Sequence, residues 1–427
     1  MINKPFRIYI SILFALLLVF STTAYSQTAT LSPYSRYGIG DLLYNGYSHQ
    51  QAMGGISIGL QQSSHLNYGN PASYAIDSIV IFELGVTGEL MTFSNAATSV
   101  NKTNGYFSYI SMGFPLIKNH WYLNVGMIPL SAQGYKNLQI NKVTYPGNAK
   151  FLYEGTGGYN RYYAGTGFRI SKKITAGFNF CYLYGTSTRT SKAEFLESGY
   201  YNTQIQNTTT LNDILMSGGL QYTTTMKKGL LLTVGIAGGP SQKINAKRDL
   251  VWFNYLNKGN FISAKDTVYS AKGEKGNIEL PLDAGFGFTI SKKNQWLFGA
   301  DVKMQKWEDY TSYGINDSLK NSYKISVGGQ WVPDDMSIRY YNKIIYRVGA
   351  HYNSGYLELE NEAINDIGVS FGFGIPLRGK PYFSHLDLAF EFGREGTTNN
   401  NLIRERYGRV VIGLTLREDW FHKTKFD

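Results

Sequence analysis

Trp296-Leu297-Phe298-Gly299-Ala300-Asp301-Val302-Lys303-Met304-Gln305 is the stretch that decides the fold. Trp296, Phe298, Ala300, Val302 and Met304 share one parity; Leu297, Gly299, Asp301, Lys303 and Gln305 share the other. Side chains of a strand point alternately to opposite faces, so this segment has one apolar face and one mostly polar or glycine face. The pattern recurs. Leu386, Leu388, Phe390 and Phe392 oppose Asp387, Ala389, Glu391 and Gly393, and Val410, Ile412, Leu414 and Leu416 oppose Arg409, Val411, Gly413, Thr415 and Arg417. Near the middle, Ile174, Ala176, Phe178, Phe180 and Tyr182 oppose Thr175, Gly177, Asn179 and Cys181.

A soluble sandwich has the same alternation, but its strands are usually shorter. Many segments here run ten residues or more, enough for a tilted strand to cross a bilayer. Strands are expected near 79–93, 104–116, 119–130, 156–171, 173–188, 212–226, 229–241, 277–291, 294–307, 321–332, 341–354, 365–376, 383–395 and 403–417. The gaps alternate between tight turns, such as Ser171-Lys172-Lys173 and Ser291-Lys292-Lys293-Asn294, and longer stretches near 131–155, 189–211 and 242–276. Short turns at one end and long loops at the other predict an all-β, transmembrane antiparallel barrel of about fourteen strands over residues 79–421, with both termini on the short-turn side. Pro115, Pro129 and Pro376 fit strand ends, where a missing N–H costs least.

The N-terminus sets the compartment. Lys4 and Arg7 precede an apolar run from Ile8 to Phe20, then Ala24 and Ser26 offer small residues for cleavage after Ser26. That run is too short for a permanent span, so residues 1–26 read as a secretory signal peptide and the destination as the bacterial outer membrane. The chain carries 41 Lys+Arg against 30 Asp+Glu, and losing Lys4 and Arg7 lowers its +11 formal charge by two. The basic residues are scattered, which argues against nucleic acid as a partner. Cys181 is the single cysteine and excludes an intrachain disulfide. The composition of 34 Tyr, 24 Phe and 47 Gly suits strands that are apolar on one face. Trp296, Trp331 and Trp420 are expected at the interfaces, and residues 422–427 form a short tail.

Residues 27–78 do not alternate. They contain Ser32-Pro33-Tyr34-Ser35-Arg36-Tyr37-Gly38, then Ala52-Met53-Gly54-Gly55 and Asn70-Pro71-Ala72. About fifty residues are too few for a robust core of their own. They are also too apolar and glycine-rich for a free tail, so they are expected to fill the barrel as a hatch or plug. Gly54, Gly55, Asn70, Pro71 and Ala72 are its candidate site residues: the glycines allow close backbone packing, and Pro71 fixes a turn.

This small-residue segment followed by Asn70-Pro71-Ala72 resembles the hatch of FadL/TodX-type outer-membrane transporters of long-chain fatty acids and aromatic hydrocarbons. The ending Ile412-Gly413-Leu414-Thr415-Leu416-Arg417-Glu418-Asp419-Trp420-Phe421 and the start Ser32 to Gly38 look like Bacteroidetes-type members. The resemblance implies passive uptake of a small hydrophobic molecule past a movable hatch, with outer-membrane lipid as surroundings and no cofactor. Leu250-Val251-Trp252-Phe253 and Phe151-Leu152-Tyr153 are candidate capture surfaces on the loops.

The inferred lumenal faces depart from the apolar route such transporters have. They carry Glu83, Glu89, Arg169, Asp283, Asp301, Lys303, Lys324, Arg347, Asp387, Glu391 and Arg409. Of these, Asp301, Lys303, Arg347, Asp387, Glu391 and Arg409 are expected to form a charge network, because buried charges need partners. Relatives in the same bacterial group include subunits of secretion or barrel-assembly machines. A plugged, non-transporting subunit of an outer-membrane complex is therefore the second functional reading. Paired carboxylates such as Asp301, Asp387 and Glu391 can serve a hydrolase, but salt bridging accounts for them, and no catalytic residues or enzyme activity are expected. The six histidines, His49, His65, His120, His351, His385 and His422, show no ligand-pair spacing, so no metal is expected. Gly54-Gly55 and Gly59 match neither nucleotide fingerprint.

Overall fold

The computed structural model describes residues 29–418 except 44–45, 143–146, 198, 259–260, 294 and 378–383. The expected signal peptide, Trp420, His422 and the tail lie outside the described residues. Fourteen antiparallel staves form the barrel: β1 Val80–Ser94, β2 Ser99–Ile117, β3 Trp121–Lys142, β4 Asn148–Arg169, β5 Ile174–Phe195, β6 Asn202–Thr225 and β7 Leu231–Gly239. They continue as β8 Asp283–Lys292, β9 Trp296–Gln305, β10 Ser322–Trp331, β11 Ile345–Asn353, β12 Asp366–Leu377, β13 Ser384–Glu395 and β14 Arg404–Glu418. Each pairs with its neighbour, and β1 closes on β14 from Val80↔Glu418 to Ser94↔Arg404. Closure pairs the first stave with the last and so removes the two terminal edges of the sheet, as the hydrocarbon of a bilayer demands.

The alternation has the predicted sense. On β9, Phe298 and Met304 are 46% and 61% exposed, whereas Leu297 and Asp301 are 6% and 5% exposed. Phe178, Phe180 and Tyr182 point outward on β5 with Asn179 and Cys181 buried between them. Trp121, Trp296 and Trp331 are exposed near the short turns, and Tyr184 and Tyr323 near the loops. Trp331 and Tyr323 are separated by about 26 Å of strand, comparable with the apolar band of an outer-membrane barrel.

Several segments extend further than the sequence pattern indicates. β3 runs to Lys142 and β4 starts at Asn148, so the stretch near 131–155 is mostly strand. Residues 242–276 belong to a hairpin of Gln242–Lys258 and Phe261–Leu280. Phe151-Leu152-Tyr153 and Leu250 to Phe253 therefore sit in strands and not in irregular loops. Pro129 lies inside β3, where a bulge between Pro129 and Ser131 absorbs the missing donor; Pro115 is at a second bulge.

Residues 29–43 and 46–79 thread the lumen. Ser32 Oγ donates to Glu405 Oε1 at 2.6 Å, beside the loop end of β14. Asp41–Leu42 pairs with Ala132 and Ser131 of β3. A four-residue helix, Ser48–Gln51, and a 3-10 turn, Pro71–Ile76, follow. The segment leaves at the short turns, where the Asp77 carbonyl accepts from Asn119 N. The described chain thus begins at the loop end, and not on the short-turn side as the strand count alone implied. Tyr34, Tyr37, Ile39 and Leu42 find apolar partners there in Trp307, Tyr310, Leu319 and Leu357.

Candidate functional site

The interior of the barrel is occupied by contacts between this threaded segment and the wall. At the loop end the contact is the apolar cap just described, with Trp307 stacked on Tyr356 at 4.6 Å. Below it, tyrosines bond to small polar residues of the staves. Tyr47 OH lies 2.7 Å from Ser111 Oγ and 2.9 Å from Tyr163 OH, and Tyr109 OH donates to Ser48 Oγ at 2.9 Å. The polar inward faces of β2 and β4 are thus used to hold the hatch.

Gly54 and Gly55 make the closest approach. Gly54 has φ +69° and donates its N–H to Ser370 Oγ on β12 at 3.0 Å. A Cβ on wall residues Gly328 or Gly349 would stand 2.2 Å from the Met53 backbone, so glycine is required on both sides of this contact. Asn70 bridges within the hatch and to the wall: its Nδ2 donates to Ile58 O at 2.7 Å and Ile236 O at 3.4 Å, while its Oδ1 accepts from Ala72 N. Pro71 and Ala72 open the 3-10 turn, which lies against Gly177 of β5.

The six residues expected as one charge network separate into distinct units. Asp301 accepts hatch N–H groups from Ser57 at 2.5 Å, Ile58 at 2.7 Å and Gly59 at 3.4 Å. Lys303 pairs instead with Asp283 at 2.6 Å and is half-exposed. Arg409 joins Glu89 at 2.5 Å and Glu391 at 3.3 Å. Arg347 holds Asp387 at 2.5 Å, with both side chains buried. The division follows the staves. Asp301 and Lys303 share β9, but Asp301 lies opposite the hatch backbone, whose unpaired N–H groups satisfy it without a cation.

The Arg347–Asp387 pair opens onto a cluster the sequence did not reveal. His65 Nε2 is 3.4 Å from Arg347 Nη2, and its Nδ1 is 3.0 Å from Glu83 Oε1. The His49 ring stacks on His65 at 4.1 Å, and His385 lies 5.6 Å from His65. Burial, followed by the charge of neighbouring His65, pulls the His49 pKa well below the ordinary imidazole value. Burial and then Arg347 do the same for His65.

Two small cavities of ≈ 230 and ≈ 160 Å³ remain beside the hatch, both touching Arg161, Lys303 and Lys324. The larger reaches a seam in the wall. β6 pairs with β7 from Gly218 to Thr225 and with the loop hairpin from Asn202 to Leu211; among the described residues, that edge has no ladder partner between them. Side chains close the seam: Gln242 exchanges two bonds with the Met216 backbone, and Asp213 accepts from Asn245 N.

A family model for BamG matches residues 7–427. The chain belongs to the BamG family. No curated protein matches it. Solved structures resemble this BamG-family barrel in fold. The CymD monoaromatic hydrocarbon channel has 12% identity and a TM-score of 0.51, with 90% of this chain and 100% of that chain covered. A Pseudomonas aeruginosa FadL homologue has 10% identity and a TM-score of 0.56 at the same coverage. The Pseudomonas putida toluene transporter TodX has 14% identity and a TM-score of 0.56, again at 90% and 100%. The FadL/TodX resemblance seen in the sequence therefore holds for the fold, while the family is BamG. Barrel and family together make this an outer-membrane protein.

Within this BamG-family barrel, Gly54, Gly55, Asn70, Pro71 and Ala72 all lie at hatch–wall or hatch–hatch contacts. Missing from the sequence reading are Ser57 to Gly59 as partners of Asp301, and the grouping of His49, His65 and His385. Their separations along the chain leave no local signal.

Proposed function

We propose that the protein is a plugged outer-membrane barrel that serves as a non-transporting subunit of an outer-membrane assembly complex. The observation that carries this reading is the way the hatch is fixed: an apolar cap at one end, His65 and Leu66 N held by Glu83 of the wall at the other, and backbone-to-backbone contact at Met53–Gly54 between them. Moving such a hatch would strip Asp301 of its Ser57, Ile58 and Gly59 N–H donors and Glu83 of His65 and Leu66 N, at a cost of several kcal/mol for each carboxylate. Membership of the BamG family supports the assembly role. Affinity purification from native membranes tests it: stoichiometric recovery with a large partner barrel is expected, and recovery of a lone monomer overturns the proposal.

The second reading is passive uptake of a small hydrophobic molecule such as a fatty acid. The seam at Asn212–Ser217 favours it, because side-chain bonds are easier to part than a ladder and Leu42, Leu130 and Met216 line the adjoining cavity. Similarity of fold to hydrocarbon channels supports it as well. Uptake of a labelled fatty acid by liposomes containing the protein, compared with a deletion of residues 27–74 and with empty liposomes, separates the two readings.

A further inference from the structure

We infer that His49, His65 and Glu83 form a buried site for a divalent transition ion of the zinc type, which ties the hatch to the barrel wall. The argument is geometric. The ligand-capable atoms of the three residues all lie within 4.8 Å of one another, and all three side chains are buried. Around them the polar atoms are spaced as ligands on one ion would be. His65 Nδ1 to Glu83 Oε1 is 3.0 Å, Thr415 Oγ1 to Glu83 Oε1 is 3.2 Å and Thr415 Oγ1 to His65 Nδ1 is 3.3 Å. Ligands held 2.0–2.2 Å from one ion stand about 3.0–3.5 Å apart.

Hydrogen bonding leaves atoms over. Among the described residues, Glu83 Oε2 and His385 Nδ1 are buried without a hydrogen-bond partner, and buried polar atoms of native proteins rarely are. A cation between the imidazoles and Glu83 gives Glu83 Oε2 the partner it lacks. Two nitrogen donors with carboxylate oxygen suit zinc better than calcium or magnesium, which favour all-oxygen sites. Asp387 Oδ2, 3.8 Å from His65 Nδ1, is placed as a further ligand or as a partner that orients the ring.

His49 is on the short hatch helix, His65 on the hatch segment that follows it, and Glu83 on β1. An ion there joins two points of the plug to the first stave, whichever functional reading of the barrel holds. All three ligands are buried, so the ion is expected to enter as the barrel folds and to leave slowly.

The test uses the full chain purified through a tag without histidines, folded into detergent with Zn²⁺ and then passed through a chelating resin. About one zinc per chain is expected by elemental analysis. His65→Ala and Glu83→Gln are each expected to lower retention at least about tenfold, while His120→Gln, at an exposed turn, retains zinc. Because a variant can fail to fold, wild-type protein folded with Co²⁺ is measured in parallel, and visible absorption typical of nitrogen-ligated cobalt is expected. Folded wild-type protein that holds no zinc and shows no cobalt bands overturns the inference. So does a Glu83→Gln barrel that keeps its full equivalent.

Discussion

At the loop end the lumen is closed by Tyr34, Ile39, Trp307, Leu319 and Tyr356; at the short-turn end it is closed by His65, Glu83, Arg347 and Asp387. The first closure is non-directional burial, and its parts can be weakened one at a time. The second is a set of charges that are stable only together. A plug built this way is stiff below and forgiving above, so any opening is expected to begin at the loop end.

Substitutions can break or sharpen that contrast. Arg347→Met leaves the Asp387 carboxylate buried without its cation, and a loss of about 3–5 kcal/mol is expected in denaturant unfolding in detergent. The hatch of that variant should also become sensitive to protease. Leu319→Ala removes apolar volume from the cap and is expected to cost about 2–4 kcal/mol. Its protease sensitivity should stay confined to the residues before Asp41. If cleavage reaches Gly54 as readily as in Arg347→Met, the two ends are coupled and the contrast fails. Lys303→Gln is the smallest case. Its ion pair with Asp283 is half-exposed, so less than about 1 kcal/mol is expected, read from a double-mutant cycle with Asp283→Asn.

The sequence displays the membrane belt and conceals the plug, for physical reasons. Period-two alternation is local, so Phe178, Phe180 and Tyr182 are legible as a lipid-facing row wherever the bilayer enforces it. Above the bilayer both faces of a strand meet water, and the signal fades. On β5 the outward row passes from Tyr184 to Thr186 and Thr188, which hydrogen-bond across to Thr210 and Thr208 of β6. The strand continues while its pattern stops. The glycines of the hatch were visible as residues that permit close approach, but their partners Gly328 and Gly349 were not, because the pairing depends on contacts nearly three hundred residues apart. The charged residues were visible too. Their partners were not: Asp301 pairs with backbone, which has no side-chain signature.

The bond from Ser32 to Glu405 spans 373 positions of sequence. A ribbon that fastens its opening residues to its final stave must keep those residues waiting until synthesis and sheet growth are complete. Pairing of Val80 with Glu418 joins the first stave to the last, and closing contacts of such long range is expected to be slow. Until that moment the sheet is a trough with two raw borders, which gives this chain a reason to depend on a folding escort at the membrane.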